Sequence, residues 1–372
     1  MSDFIFEIGY EEFPASFILP FVSQLKEKIL SELEKQRVTV GNCKEFSTCS
    51  RTALVCTGLP EKQPDIRIFR SYSYAQMVDE ILKSGVIDNE KTFLRAARFL
   101  KLDENFKPGL YRLKAGMGNK AIIRSFANGW QKPVRLIIPG YYRTPDRFAD
   151  FLGEQLEASR DDFAAALKDS SLAAGYGFRS ETFIGMFIPN TYEVWWTVTP
   201  GDFVERMHQE YGKFWAGERD AKAAAIGLTR QEVSTLASIV IEESKYEAEL
   251  PRIAGVYMNR LQRDMPLQAD PTVIYAVGDP SLKRVLNRHL ETDSPYNTYK
   301  YTGLPPGPIT MPPVTAIDAV LNYERHDYLY FCAKDNFDGS HAFAKTLAAH
   351  NENARRYQQA LSRHMRTAAT MP

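Results

Sequence analysis

The amino-acid sequence predicts an α+β protein with more than one domain, in which helices outnumber short strands. The chain has 372 residues, which is enough for two or three hydrophobic cores. Its composition, 44% apolar and 25% charged, is that of an ordinary globular protein. Apolar residues recur at helical spacing in many stretches, and short strand-like runs lie between them.

Charge and cysteine content exclude several kinds of partner. Lys plus Arg and Asp plus Glu each total 46, so the formal net charge is zero. Nucleic-acid-binding modules usually carry a basic excess, and we therefore expect no nucleic-acid partner. The four cysteines have no zinc or redox spacing, which predicts buried or free thiols and neither a metal nor another cofactor. They are Cys43, Cys49, Cys56 and Cys332.

Residues 1–65 form the first predicted segment. An apolar run at 4–8 opens it, and a second strand-like run lies at 53–57. Between them a helix is predicted from apolar residues at four-residue spacing, namely Phe21, Leu25, Ile29 and Leu33. The polar, proline-containing stretch 61–65 is typical of a domain boundary.

Residues 66–139 are predicted to form a small α+β domain of alternating helices and strands. Its predicted elements are a helix after Ser73, a helix from Asn89 to Leu100, a strand after Pro108, a helix ending at Asn128-Gly129, and a strand over 133–139. Residues 140–228 are predicted to be mostly helical, with aromatic strands over 192–198. No apolar run approaches the roughly 18 residues of a membrane span, and no signal-peptide pattern is visible.

A helix beginning at Thr229 carries the first catalytic candidate. Thr229 and Glu232 form a capping-box pattern, and an apolar stripe follows at helical spacing. The helix ends in Glu242 and Glu243, where the negative end of the helix dipole and the neighbouring carboxylate would raise a carboxyl pKa. A raised pKa suits a general acid, whereas the alternative is a solvated, charged helix end.

Three loops after this helix combine stiffness with hydrogen-bonding side chains. They lie at 266–273, 294–299 and 303–309, and each contains proline, glycine or both. Their Gln, Asp, Asn and Tyr side chains suit a site that holds sugar hydroxyls and acetamido groups. Ordinary turns between helices are the alternative, but they do not need so many polar side chains.

Residues 66–372 resemble the YceG-like (MltG) family of endolytic murein transglycosylases. Seven blocks in order carry the resemblance: Ala237 to Ser244, Gly255 to Leu261, Leu267 to Val273, Tyr296 to Tyr299, Gly303 to Ile309, Tyr328 to Phe331, and His350-Asn351. The resemblance implies a LysM-like domain over 66–139 and a catalytic domain, rich in helices and stiff Pro/Gly loops, over 140–372. It also implies an inner-membrane anchor with the catalytic domain outside the cytoplasm.

The resemblance implies cleavage of the β-1,4 bond between N-acetylmuramic acid and N-acetylglucosamine, with a 1,6-anhydro end as product. The family's catalytic Glu is the second in a Glu-x-Glu-Thr-like motif, which falls on Glu243 here. Ile241 replaces the first Glu of that motif, so the position that is lost cannot be the essential one. Glu242 is the fallback.

The implied partners are peptidoglycan glycan strands, with cell-wall synthesis enzymes as further candidates. The candidate substrate-binding residues are Asn259, Gln268, Asp270, Thr272, Tyr296, Asn297 and Tyr299. Asp270 could instead be a second carboxylate, which would favour hydrolysis. His341, His350 and Asn351 match family positions without an assigned role.

Residues 1–65 are similar to the start of the β subunit of bacterial glycyl-tRNA synthetase. The similar stretches are 6–14, 48–54 and 59–65, and Tyr10 and Phe13 replace that family's usual Thr and Leu. The likeness stops after a small part of a much longer subunit, so we expect no aminoacylation.

Three other functions compete with the transglycosylase hypothesis. A lysozyme-like hydrolase would leave reducing ends instead of anhydro ends. A non-catalytic glycan-binding protein would keep its binding after Glu243→Gln. A tRNA-synthetase accessory protein is disfavoured by the zero net charge and by the short similar segment.

Overall fold

The computed structural model confirms the α+β class, with helices in the majority. It describes residues 2–10, 14–35, 40–48, 50–59, 65–113, 117–244, 246–279, 282 and 284–369. The strands are β1 (Ser2–Gly9), β2 (Asn42–Ser47), β3 (Arg51–Leu59), β4 (Asp65–Ile68), β5 (Gly109–Arg112), β6 (Val134–Ile138), β7 (Asn190–Val194), β8 (Tyr330–Ala333) and β9 (His341–Ala344).

The helices of the first half are short except for the first one. They are α1 (Ala15–Lys35), α2 (Tyr74–Lys83), α3 (Glu90–Phe99), α4 (Leu102–Asn105), α5 (Asn119–Asn128), α6 (Pro145–Gln155), α7 (Arg160–Lys168) and α8 (Ser170–Gly175). Those of the second half are α9 (Pro200–Trp215), α10 (Glu218–Ala225), α11 (Arg230–Glu243), α12 (Leu250–Leu261), α13 (Asp270–Val277), α14 (Asn287–Leu290), α15 (Val314–Leu321) and α16 (Leu347–Ala369). Short 3-10 helices lie at Phe183–Met186 and Glu247–Glu249.

The chain divides into two compact units, of which the first comprises Met1–Val134 and Val194–Thr197. Its N-terminal part is an antiparallel sheet in the order β1-β3-β2, together with α1. Thr52, Leu54 and Cys56 alternate on the buried face of β3, as a half-buried strand requires. The predicted helix and both strand-like runs of this segment are confirmed, whereas most of the predicted boundary at 61–65 lies outside the described residues.

The second part of this unit pairs β4 with β5 and packs α2, α3 and α5 on an apolar core. Ser73 caps α2 through the predicted capping box, and the side chain of Asn89 caps α3. Gly129 ends α5 at φ 68°, a left-handed conformation that glycine adopts without strain. The predicted elements of 66–139 are present, and α4 is an addition that the sequence did not indicate. The likeness to a LysM domain stays a prediction.

The second unit comprises Arg135–Glu193 and Val198–Pro372, and α11 is its central helix. Every residue from Val233 to Ile241 is buried, because α12, α13 and α15 pack around it. β8 and β9 form an antiparallel pair against α16. The predicted strands over 192–198 were wrong beyond Val194, since a turn at Trp196 and Thr197 follows β7 and leads into α9. Within the described ranges, no helix is both long and apolar enough to cross a membrane.

Candidate active site

Helix α11 places Glu243 at the point where a buried helix ends. The predicted capping box is present, since Thr229 accepts from the backbone N–H of Glu232 at 3.2 Å and Glu232 accepts from that of Thr229 at 2.8 Å. The chain turns to an extended conformation at Ser244. The half-buried Glu243 side chain therefore leaves the core at the last helical residue.

The Glu243 side chain lines a cavity of about 350 Å³, which we call the Glu243 cavity. This volume is at the lower end of the range of small-molecule sites. Its walls come from α11, α12, α13, the β8–β9 pair, α16 and the loops between them. The lining residues are Glu243, Tyr257, Arg260, Leu267, Gln268, Asp270, Tyr299, Tyr330, Phe331, Cys332, Ala333, His341, Leu347 and His350.

Burial raises the pKa of Glu243 to about 7. The hydroxyl of Tyr257 donates a 2.6 Å hydrogen bond to Oε1 of Glu243 and lowers this pKa, as does the charge of Arg260. The charges of Asp270 and Glu242 raise it. The predicted direction of the shift is therefore present, but loss of water contact is its main cause.

Glu242 points away from this cavity and is paired. Its Oε2 accepts a hydrogen bond of 2.5 Å from Nη2 of Arg143, and Glu242 does not line the Glu243 cavity. From the sequence, both glutamates at the end of α11 were expected to lack a compensating charge. In the structure, Glu242 is paired with Arg143. Glu242 has no access to a ligand in the cavity, which favours Glu243 over it as the acid.

A buried guanidinium supports the floor of the cavity. Arg260 donates from Nε to the carbonyl of Leu329 at 2.7 Å and from Nη1 to the carbonyls of Pro266 and Leu267 at 3.0 and 2.9 Å. Nη1 also lies 3.2 Å from Oε1 of Gln268. Burial lowers the pKa of Arg260, and these oxygens replace the lost water contacts. Arg260 thus fixes the loop before α13 relative to β8.

Three of the predicted substrate-binding residues line the Glu243 cavity: Gln268, Asp270 and Tyr299. The hydroxyl of Tyr299 donates to Oδ1 of Asp270 at 2.6 Å, and burial raises the pKa of Tyr299. Gln268 has φ +51°, an unusual value for a residue with a side chain. Such backbone conformations are concentrated at ligand sites.

The other four predicted substrate-binding residues do not line the cavity. Asn297 and Thr272 are fully buried: Asn297 donates to the carbonyls of Leu290 and Thr292 at 2.8 Å, and Thr272 donates to that of Ala269 at 2.7 Å. Asn259 and Tyr296 are also engaged within the protein. Asn259 donates to the carbonyls of His326 and Tyr328, and Tyr296 packs on Tyr275 with ring centroids 4.7 Å apart. All four therefore make their contacts within the protein and not with the cavity.

Sequence reasoning assigned no role to several cavity residues. Tyr257 and Arg260 lay within recognised motif blocks, but nothing in their spacing indicated the contact with Glu243 or with the loop carbonyls. Glu249, which precedes Leu250-Pro251 and accepts from His341, carried no local signal. Within the described part of the chain, no three His, Cys, Asp or Glu side chains gather where they could share a metal ion. Cys43, Cys56 and Cys332 are free thiols, as expected, and Cys49 lies outside the described residues.

Comparison with known proteins identifies the larger part of the chain. The model of the YceG-like family matches residues 66–356, which is more than half of the chain. The chain belongs to the YceG-like family. An endolytic murein transglycosylase of Bacillus subtilis is 31% identical over 311 residues, covering 79% of this chain and 84% of the relative.

A solved structure of a YceG-like protein also resembles the fold. The protein is from Listeria monocytogenes, and the match has a TM-score of 0.51 with 29% identity. It covers 78% of this chain and 98% of the Listeria chain. The YceG-like assignment therefore has support from sequence and from three-dimensional structure.

The N-terminal segment has different relatives. The model of the glycyl-tRNA synthetase β subunit matches residues 4–79. The β subunit of glycine–tRNA ligase from Limosilactobacillus reuteri is 43% identical over 65 residues, which is 18% of this chain and 9% of that subunit. The predicted similarity at the N-terminus is confirmed, and it spans a small fraction of the synthetase subunit.

Proposed function

We propose that this chain is an endolytic lytic transglycosylase that cuts murein glycan strands, with Glu243 as its acid and then its base. The observation that carries the proposal is the half-buried Glu243 carboxyl, whose pKa is about 7, in a cavity of about 350 Å³. A group with this pKa is present in both protonation states at neutral pH, as acid–base catalysis requires. The name and coverage of the Bacillus relative support the same activity.

The proposed reaction breaks the β-1,4 bond between N-acetylmuramic acid and N-acetylglucosamine. Protonated Glu243 gives its proton to the departing O4 of N-acetylglucosamine while the bond from C1 to O4 breaks. The acetamido oxygen of the muramyl residue stabilises the positive charge at C1. The muramyl O6 then bonds to C1, its proton passes to the Glu243 carboxylate, and the acid is regenerated without consuming water.

The surrounding groups have separate proposed roles. Tyr257 holds the Glu243 carboxyl in one orientation, while Gln268, Asp270 and Tyr299 contact the sugars. Asn259, Thr272, Asn297 and Tyr296 act indirectly by holding the loops that carry these contacts. This division follows from which side chains line the cavity.

The proposed substrate and location follow from the murein chemistry. Murein lies outside the cytoplasmic membrane, so the reaction takes place there, and a membrane anchor and cell-wall synthesis partners remain expectations drawn from the family. We keep the division into a synthetase-like leader (1–65), a LysM-like domain (66–139) and a catalytic domain (140–372) as part of the proposal.

Product analysis tests the function. Purified murein glycan strands are incubated with the wild type, with Glu243→Gln and with Glu242→Gln, and the new ends are identified by mass spectrometry. We expect anhydro ends from the wild type and from Glu242→Gln, and a loss of at least about a hundredfold in rate for Glu243→Gln. Reducing ends from the wild type would instead identify a hydrolase. Equal rates for wild type and Glu243→Gln would reject Glu243 as the acid.

A further inference from the structure

A buried carboxylate–histidine pair lies at the edge of the Glu243 cavity. Nδ1 of His341 is 2.9 Å from Oε2 of Glu249, and the two side chains are only 13% and 7% exposed. The backbone N–H of His341 also donates to both Glu249 oxygens, at 3.2 and 3.1 Å. His341 lines the cavity, whereas Glu249 does not. Glu249 therefore orients the His341 ring without lining the cavity itself.

This arrangement fixes which ring nitrogen carries hydrogen. An ionised carboxylate only accepts hydrogen bonds, so Nδ1 of His341 is the donor to Glu249. In the tautomer with its hydrogen on Nδ1, the ring presents Nε2 as an acceptor. Nε2 has no hydrogen-bond partner in the described part of the chain, and His341 is one of the residues that line the cavity.

The ring is held in place on its other side by aromatic contacts. Phe331 meets His341 edge-to-face at 5.5 Å between centroids and meets Tyr257 in the same way at 6.0 Å. Tyr257 is the residue that donates to Glu243. The phenyl ring of Phe331 therefore contacts both His341 and the tyrosine that is hydrogen-bonded to Glu243.

An acceptor other than Glu243 is suited to orient the muramyl C6 hydroxyl. Glu243 directs its proton at the leaving O4, and its Oε1 already accepts a hydrogen bond from Tyr257. Oε1 of Gln268 faces Arg260, and Oδ1 of Asp270 accepts from Tyr299, which leaves the second oxygen of Asp270 as the competing acceptor. His341 supplies an acceptor whose ring orientation is set by Glu249.

We propose that Nε2 of His341 accepts a hydrogen bond from the muramyl C6 hydroxyl and aims its oxygen at C1. His341 takes up no net proton in this role, because the proton of O6 passes to the Glu243 carboxylate once Glu243 has protonated the leaving oxygen. His341 would thereby decide whether the sugar's own hydroxyl or water reacts at C1. The inference rests on the proposed transglycosylase function.

The ratio of anhydro to reducing ends tests this role, because a merely structural residue would change the rate and leave the ratio unchanged. The full chain is compared as wild type, His341→Phe, which keeps a ring but has no acceptor, and His341→Gln, whose amide oxygen can replace Nε2. We expect roughly a tenfold loss of rate for His341→Phe together with a measurable share of reducing ends. His341→Gln is expected to keep the anhydro product.

Two further variants keep the test decisive. Glu249→Gln, which loosens the orientation of the ring, is expected to shift the ratio in the same direction by a smaller amount, and thermal unfolding checks that each variant is folded. An unchanged ratio of anhydro to reducing ends in folded His341→Phe would overturn this inference and leave the proposed function intact. The same holds if Asp270→Asn shifts the ratio and the His341 variants do not. Reducing ends from the wild type would overturn the proposed function as well.

Discussion

The hydroxyl of Tyr257 donates a hydrogen bond of 2.6 Å to Oε1 of Glu243. This contact and burial have opposite effects on the pKa of Glu243: the hydrogen bond lowers it, and the loss of water contact raises it. The balance lies at about 7, where the carboxyl is half protonated at neutral pH. Tyr257 and Glu243 come from neighbouring helices, α12 and α11, so the acid depends on how these helices pack.

Tyr257→Phe should move the alkaline limb of the activity profile to higher pH. In the proposed mechanism, activity requires protonated Glu243 and falls as the pH rises through its pKa. Removal of the hydroxyl removes a contact that lowers this pKa, so the limb should shift upward by roughly half a pH unit. Rates of strand cleavage measured from pH 5 to 9 provide the check. A shift to lower pH would contradict the role given to Tyr257.

Asp270→Asn should move the same limb in the opposite direction. The negative charge of Asp270 raises the pKa of Glu243, so its removal should lower this pKa and end activity at a lower pH. The asparagine side chain still has an oxygen that can accept the hydrogen bond from the Tyr299 hydroxyl. The pH profile of kcat/KM reports the shift. Limbs that move in the same direction for Tyr257→Phe and Asp270→Asn would refute this electrostatic account of Glu243.

Glu243→Gln should stabilise the fold at neutral and alkaline pH. The folded-state pKa of about 7 lies above the unfolded value, so ionisation costs stability as the pH rises from about 4.5 to 7, and the full cost is present above 7. The variant avoids this cost and should gain roughly 1–3 kcal/mol at pH 8 and little near pH 4. Urea unfolding at the two pH values measures the difference. Glu242→Gln, which loses the Arg143 pair, should show no such gain.

Gly255→Ala should destabilise the second compact unit, because the segment around Glu324 crosses α12 closely at this residue. An added Cβ would lie 2.3 Å from the carbonyl oxygen of Glu324 and 2.7 Å from Nε2 of His326. We expect a loss of about 2 kcal/mol or more in the free energy of unfolding. Gly212→Ala in α9 is the matched control, since its added Cβ would meet nothing within 4 Å. We expect this substitution to increase the free energy of unfolding by up to about 1 kcal/mol. Equal effects of the two substitutions would contradict this packing.

Local signals in the sequence were sufficient for most elements. The capping residues Ser73, Asn89 and Thr229 marked three helix starts, and Gly129 marked a helix end. These features depend on neighbours within four residues, so a single sequence contains them. A proline lies next to one element boundary that the sequence analysis placed wrongly. Pro200 sits in the first turn of α9, and the strands predicted over 192–198 end before it, at Val194.

The division of work within the site could not be predicted from the sequence. Gln268 and Asn297 both looked like polar loop residues, yet Gln268 faces the cavity while Asn297 is fully buried and donates only to backbone carbonyls. The burial that raises the pKa of Glu243 likewise comes from elements distant in the chain. Such contacts join residues tens of positions apart, as Glu249 and His341 do, and no local pattern encodes them.

Cleavage of murein glycan strands by the wild type in water enriched in heavy oxygen tests the central claim most directly. A lytic transglycosylase uses the sugar's own C6 hydroxyl, so the new anhydro ends should contain no heavy oxygen, and Glu243→Gln should produce almost none of them. Heavy oxygen bound at C1 of new reducing ends would show that water is the nucleophile and would contradict the mechanism proposed for Glu243.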